Sequence, residues 1–114
     1  MNKPTSEIRG RVAVIKFART THLGDDTGEL LNPVIDECSG TNLRHFVLDV
    51  ADVGHLNPHG FAIILGALLR AQGVGGNLVL CNANDRIKQF LESAQAPRKL
   101  FNYESVEVAV GALS

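Results

Sequence analysis

The chain predicts an α/β fold: a mixed sheet of four or five strands, antiparallel at its first hairpin and parallel thereafter, packed with about four helices. Three observations lead there. Short apolar runs rich in β-branched residues alternate with longer segments whose apolar residues recur at spacings of three and four. The run His45-Phe46-Val47-Leu48-Asp49-Val50 is almost continuously apolar, as expected of a strand covered on both faces. Strands separated by helices need crossover connections, which make neighbouring strands parallel. At 114 residues the chain is expected to form one domain, spanning 1–114, with a core of its own.

Taken in order, Ser6 to Arg9 predicts a short strand that turns at Gly10 into a second, Arg11 to Phe17. Val12 and Val14 fall on one face of that second strand, with Ala13, Ile15 and Phe17 on the other. From Leu23 to Cys38, the stripe of Leu30, Leu31, Val34 and Ile35 predicts a helix. Pro33 has to mark a kink or a fresh start there, and Gly40 is the expected left-handed stop. After the apolar strand 45–50, Phe61, Ile64, Leu65, Leu68 and Leu69 place a wide apolar stripe on a helix ending near Gln72-Gly73. Gly75-Gly76 leads into a strand at Leu78-Val79-Leu80-Cys81. Asp85 to Ser93 predicts a further helix with Ile87, Phe90 and Leu91 inward. Pro97 ends it, Leu100-Phe101 are expected as a short strand, and Ser105 caps a last helix burying Val106, Ala109 and Val110.

The segment richest in signal is His55-Leu56-Asn57-Pro58-His59-Gly60-Phe61, between the apolar strand and the long apolar helix. Asn57 suits the N-cap, where its side-chain oxygen takes an otherwise unpaired N–H of the first turn. Pro58 suits the first helical position, which needs no N–H and has the right φ. His59 and Gly60 then fall in the first turn, at the positive end of the helix dipole. Such a site suits an anion or a docking partner.

Composition narrows the function classes. A formal charge of −1 gives no electrostatic footprint for nucleic acid or an anionic membrane. No apolar run reaches the roughly 18–20 residues that span a bilayer, and the N-terminal residues lack the apolar centre of a signal peptide. The expected location is the cytoplasm, without direct membrane insertion. Cys38 and Cys81, far apart and without a paired spacing, read as packing residues. Asp25, Asp26 and Glu29 read as a solvated helix start. Gly73-Val74-Gly75-Gly76 precedes a strand, whereas a phosphate-cradling loop follows one, and it lacks the P-loop lysine and hydroxyl. His55 and His59 are split by the turn and share no helical face. No nucleophile stands beside a recognisable base. No metal, cofactor or catalytic residue is expected, and the chain reads as a binding module rather than an enzyme.

The run Asn57-Pro58-His59-Gly60-Phe61-Ala62-Ile63-Ile64-Leu65-Gly66, followed by Gly75-Gly76-Asn77-Leu78-Val79-Leu80-Cys81-Asn82, resembles the STAS domain, and the resemblance extends over about Ile8 to Leu113. That family includes bacterial anti-sigma factor antagonists, in which the turn carries Asp-Ser-Ser-Gly and its second serine is phosphorylated. The resemblance implies a STAS-like fold and a non-enzymatic, partner-switching role in transcription regulation. It implies docking of an anti-sigma factor that is itself a serine kinase, or of another STAS protein, and it leaves room for a homodimer. His59 would stand at the phosphoserine position, with Asn57, Pro58, Gly60 and Phe61 forming the docking turn. The usual hydroxyl is missing: His59, Pro58 and Asn57 replace serine, serine and aspartate. The alternatives the resemblance implies are a structural subunit of a multi-protein sensor assembly and an accessory subunit of a membrane transport ATPase.

Overall fold

Gly10 turns the first hairpin. Its φ of 63° is open to glycine at no steric cost, and a positive φ at the first of two loop positions is the type II′ pattern that matches strand twist. On either side lie β1 (Thr5–Arg9) and β2 (Val12–Lys16), antiparallel with Arg9 opposite Val12. β2, β3 (His45–Asp49), β4 (Asn77–Cys81) and β5 (Asn102–Tyr103) then run parallel, giving a five-stranded sheet in the order β1-β2-β3-β4-β5. Helix α1 (Pro58–Gly73) connects β3 to β4, α2 (Asp85–Ser93) connects β4 to β5, and α3 (Val106–Leu113) follows β5. The computed structural model describes residues 5–17, 44–51, 53–54, 56, 58–73, 75–95, 100 and 102–113.

Strand alternation splits the core in two. Ala13, Ile15, Phe46, Leu48, Leu78 and Leu80 point to the face covered by α1 and α2, together with Phe17 just beyond β2. Val12, Val14, Val47, Val79 and Cys81 point to the other face, where Ala109 of α3 is fully buried and Val106 and Val110 pack beside it. The sheet is therefore covered on both sides, which is why β3 needs no polar face. Each fully buried Leu, Val or Phe contributes about 1.5–3 kcal/mol, and the parallel strands hold most of them.

Three sequence expectations change. Among the described residues there are three helices rather than about four, the helix expected over 23–38 lying outside them. The last strand is Asn102–Tyr103, not Leu100-Phe101. Leu100, 4% exposed, instead drops its side chain into the α1/α2 core just before the strand, while Phe101 is outside the described residues. Leu69 is 67% exposed, not part of the buried stripe. At 100° per residue it lies too far round from Phe61, Ile64 and Leu68, and Ala67 and Ala71 complete the buried face. Their small side chains let α1 lie close on the sheet.

The end of α1 is a double hydrogen-bonded cap. Gly76 N–H donates to the Ala71 carbonyl at 2.8 Å and Gly75 N–H to that of Gln72 at 3.0 Å, with Gly75 at φ 82°. That is the Schellman arrangement, in which a left-handed glycine satisfies carbonyls the helix leaves open.

Cys81 lies fully buried in the second core. Burial first, then the charges of Asp49 and Glu107, push its thiol up to about 12 from 9.0. The folded protein thus holds the proton more tightly than the unfolded chain, so this contribution to stability is complete below pH 9 and is lost as pH rises toward 12. The contribution of Cys81 to stability should therefore fall with rising pH across that window. Urea unfolding at stepped pH checks it: Cys81→Ala should fall less steeply than wild type above pH 9.

Candidate protein-docking site

The chain leaves β3 at Asp49, enters a loop at the C-terminal edge of the sheet and starts α1 at Pro58. Three sets of contacts hold this loop. Asp49, 7% exposed, accepts a hydrogen bond from the N–H of Ala51 at 3.0 Å and from Asn82 Nδ2 at 3.1 Å. Asn82 follows β4 with φ 62°, a conformation asparagine tolerates better than most residues, and its N–H donates to the Tyr103 carbonyl. Val53 and Leu56, each 1% exposed, then pin the loop into the α1/α2 core.

The third contact is Asn84. Its Oδ1 accepts from the N–H of Ile87 at 2.9 Å and so caps α2. Its Nδ2 donates to the carbonyls of Val53 at 3.1 Å and Gly54 at 2.9 Å. One carboxamide therefore starts α2 and holds the approach to α1. Losing both functions in Asn84→Ala should cost about 2 kcal/mol, roughly half from the cap and half from the two bonds. Asn84→Ser keeps a cap acceptor but not the reach, so thermal melts should place it between wild type and alanine.

On this support the first turn of α1 is presented outward. Pro58 is the first helical residue, as expected, and Pro58 and His59 are exposed. Gly60 is buried. Phe61 is 9% exposed and joins the core, its ring edge-on to Phe90 with centroids 5.4 Å apart at 74°. Phe61 thus faces inward, so the expectation that it belongs to a docking surface is not met by its side chain. Asn57 and His55 lie outside the described residues. Beyond the turn, Ala62, Gly66, Leu69, Arg70 and Gly73 are exposed. With His59 they fall within about 100° of one another around the helix, opposite the buried face. The exposed stripe is small and apolar for most of its length.

Sequence reasoning did not single out Asp49, Asn82 or Asn84. Asn84 before the helix beginning at Asp85 carried a cap signal, but its bonds to Val53 and Gly54 span some thirty residues and leave no local mark.

Fold and turn together define a mixed α/β module with helices on both sheet faces and a helix start presented at the C-terminal edge. The chain belongs to the STAS domain family, which matches residues 8–109. Solved structures agree. A Thermotoga maritima protein assigned as an anti-sigma factor antagonist is similar at TM-score 0.85 and 16% identity, over 96% of this chain and 93% of that one. An anti-sigma factor antagonist of Mycobacterium paratuberculosis is similar at TM-score 0.81 and 13% identity, over 99% and 94%. The Bacillus cell fate determinant SpoIIAA in its phosphorylated form is similar at TM-score 0.72 and 14% identity, over 97% and 99%. At these identities the likeness speaks for the fold. No helix among the described residues is long and apolar enough to cross a membrane.

Proposed function

We propose that this chain is a non-enzymatic, protein-binding regulatory module of the anti-sigma-antagonist type. It docks an anti-sigma factor of the serine-kinase class through the start of α1, with His59 at the centre of the contact, Asn57, Pro58 and Gly60 shaping the turn, and the stripe of Ala62, Gly66 and Leu69 extending it. The carrying observation is that stripe: Leu69, 67% exposed, lies on the same side of α1 as the exposed His59, with small residues between them. A small, apolar exposed face lets a partner approach the backbone closely and gains from burial. The loop anchored by Asp49, Val53, Leu56 and Asn84 holds that face in one geometry, which limits the ordering cost of binding.

The turn Asn57-Pro58-His59-Gly60 contains no hydroxyl. A serine kinase therefore has no acceptor here, and the module is constitutively competent to bind at this surface. The test incubates the protein with ATP and the kinase that co-purifies with it. Stable binding with no phosphate on residues 57–60 by mass spectrometry is expected, and phosphate on His59 would overturn the reading. The double change His59→Ser with Asn57→Asp should restore partial phosphorylation, because it rebuilds an acceptor with an adjacent acid.

A further inference from the structure

β1 ends the sheet order, and no strand among the described residues pairs with its outer side. Hairpin geometry fixes which of its groups are open. The two-residue turn makes Arg9 and Val12 a hydrogen-bonded pair, so Glu7 and Arg9 spend their backbone groups on β2. The alternation then directs the N–H and C=O of Ser6 and Ile8 away from the sheet. Ile8 is also 60% exposed. An unpaired edge that carries a large exposed apolar side chain is a template for another strand.

The sequence of this edge is complementary to itself. An antiparallel pairing with its two-fold axis at Ile8 sets Ile8, an outward-directed position, opposite Ile8 of the second copy, so the two central backbone bonds can form without a register slip. Ser6 falls opposite the second copy's Gly10, which belongs to the turn, so the paired strand residues are 7–9. The same register sets Glu7 opposite Arg9 and Arg9 opposite Glu7. Those pairs lie at non-hydrogen-bonded positions, where opposed side chains approach most closely. Within one chain Arg9 already lies 3.3 Å from Glu7 and 3.6 Å from Glu107 of α3. Both acids are mostly exposed, at 64% and 76%, so Glu7 retains accessible carboxylate for a second guanidinium.

We infer that two copies of this chain associate through their β1 edges, antiparallel about Ile8, with reciprocal Glu7–Arg9 pairs, forming a continuous ten-stranded sheet. The interface is isologous, so every contact off the two-fold axis occurs twice. It lies at the edge of the sheet two strands away from β3, which feeds the α1 turn. Each subunit therefore keeps its α1 surface for another partner, and the two surfaces are tested separately.

Three paired strand residues per subunit make a small interface, and a reversible dimer with a Kd of roughly 1–100 μM is expected. Sedimentation velocity on the full chain over a concentration series reads it. Ile8→Pro removes a donor that β2 does not use, a change edge strands tolerate, and should weaken dimerisation at least about tenfold because two bonds are lost. Glu7→Arg places like charges opposite one another twice and should weaken it by a similar factor. Glu7→Arg with Arg9→Glu restores the complementarity and should return the dimer. Circular dichroism confirms the fold of each variant, and if Ile8→Pro unfolds the charge swap carries the test. A wild-type monomer at concentrations approaching 1 mM, about the weakest association of interest, overturns the inference. So does a dimer indifferent to these changes, or one that the double swap fails to restore.

Discussion

Gly76→Ala should lower the stability of the folded chain by about 3–4 kcal/mol, the upper range for an inserted methyl that has no flexible neighbour to displace. A Cβ on Gly76 would fall on the carbonyl of Arg44 and against its Cβ, and the first of these is backbone. The cause is sheet register. His45 pairs with Asn77 as β3 and β4 begin, so Gly76 and Arg44 stand side by side just before the pairing. Relief would require β3 and β4 to separate at their start, and Phe46 and Leu78 are buried one residue further in. Gly75→Ala provides the contrast. Its added methyl meets only the end of the Arg44 side chain at 3.8 Å, and the cost comes from holding alanine at φ 82°. That is worth about 1–2 kcal/mol. Urea unfolding with unchanged slope should separate the two variants clearly. Equal losses would mean that the close approach of Gly76 to Arg44 is not a feature of the native sheet.

The contrast also shows what a sequence can and cannot announce. Gly75-Gly76 reads as a turn before a strand from composition alone, yet the two glycines serve different purposes, one for φ and one for space. The alternation in β2 was fully legible, since Val12 and Val14 against Ala13, Ile15 and Phe17 is a period-two statement and burial follows it residue by residue. Helix α1 was legible in position but not in width. Leu69 is as apolar as Leu68, and only its position 100° further round the helix, away from the sheet, decides that one is buried and the other exposed. β5 was misplaced by two residues because Leu100 and Phe101 are apolar, whereas a two-residue edge strand is set by its pairing with Leu80 and Cys81. The start of α1 was readable because a proline at the first helical position is a local signal: Pro58 opens the helix and His59 stands exposed beside it. The supports of that turn were not readable. Asp49 and Asn82 meet across 33 positions, and Asn84 reaches Val53 and Gly54 across 31 and 30. Such contacts depend on strand register, which exists only once the sheet has formed.

His59→Glu should weaken binding of the partner about tenfold or more while leaving the fold intact. The first turn of α1 contains no acidic residue, so glutamate would place the first negative charge there. Within the isolated protein that charge sits well, because a helix N-terminus favours an anion by about 0.3–1 kcal/mol. His59 is exposed, so no buried contact is lost. At an interface the same carboxylate must shed water against a surface that fits a short, weakly polar stripe. A misplaced charge at a docking face commonly costs a few kcal/mol, and about 1.4 kcal/mol already corresponds to tenfold in affinity. Glutamate carries roughly half the charge of a phosphorylated side chain, so the effect should be a graded version of phosphorylation rather than complete loss. The separation of the two effects is what makes the experiment decisive. Thermal melts of wild type and variant should coincide within a few degrees, while pull-downs from the native cell with the two baits side by side should differ in recovered partner. Leu69→Asp, further along the exposed stripe, should reproduce the loss with equally little change in melting, since Leu69 lies outside the core. Equal recovery of every partner by all three baits would remove α1 as the docking surface and leave the module to act through another face.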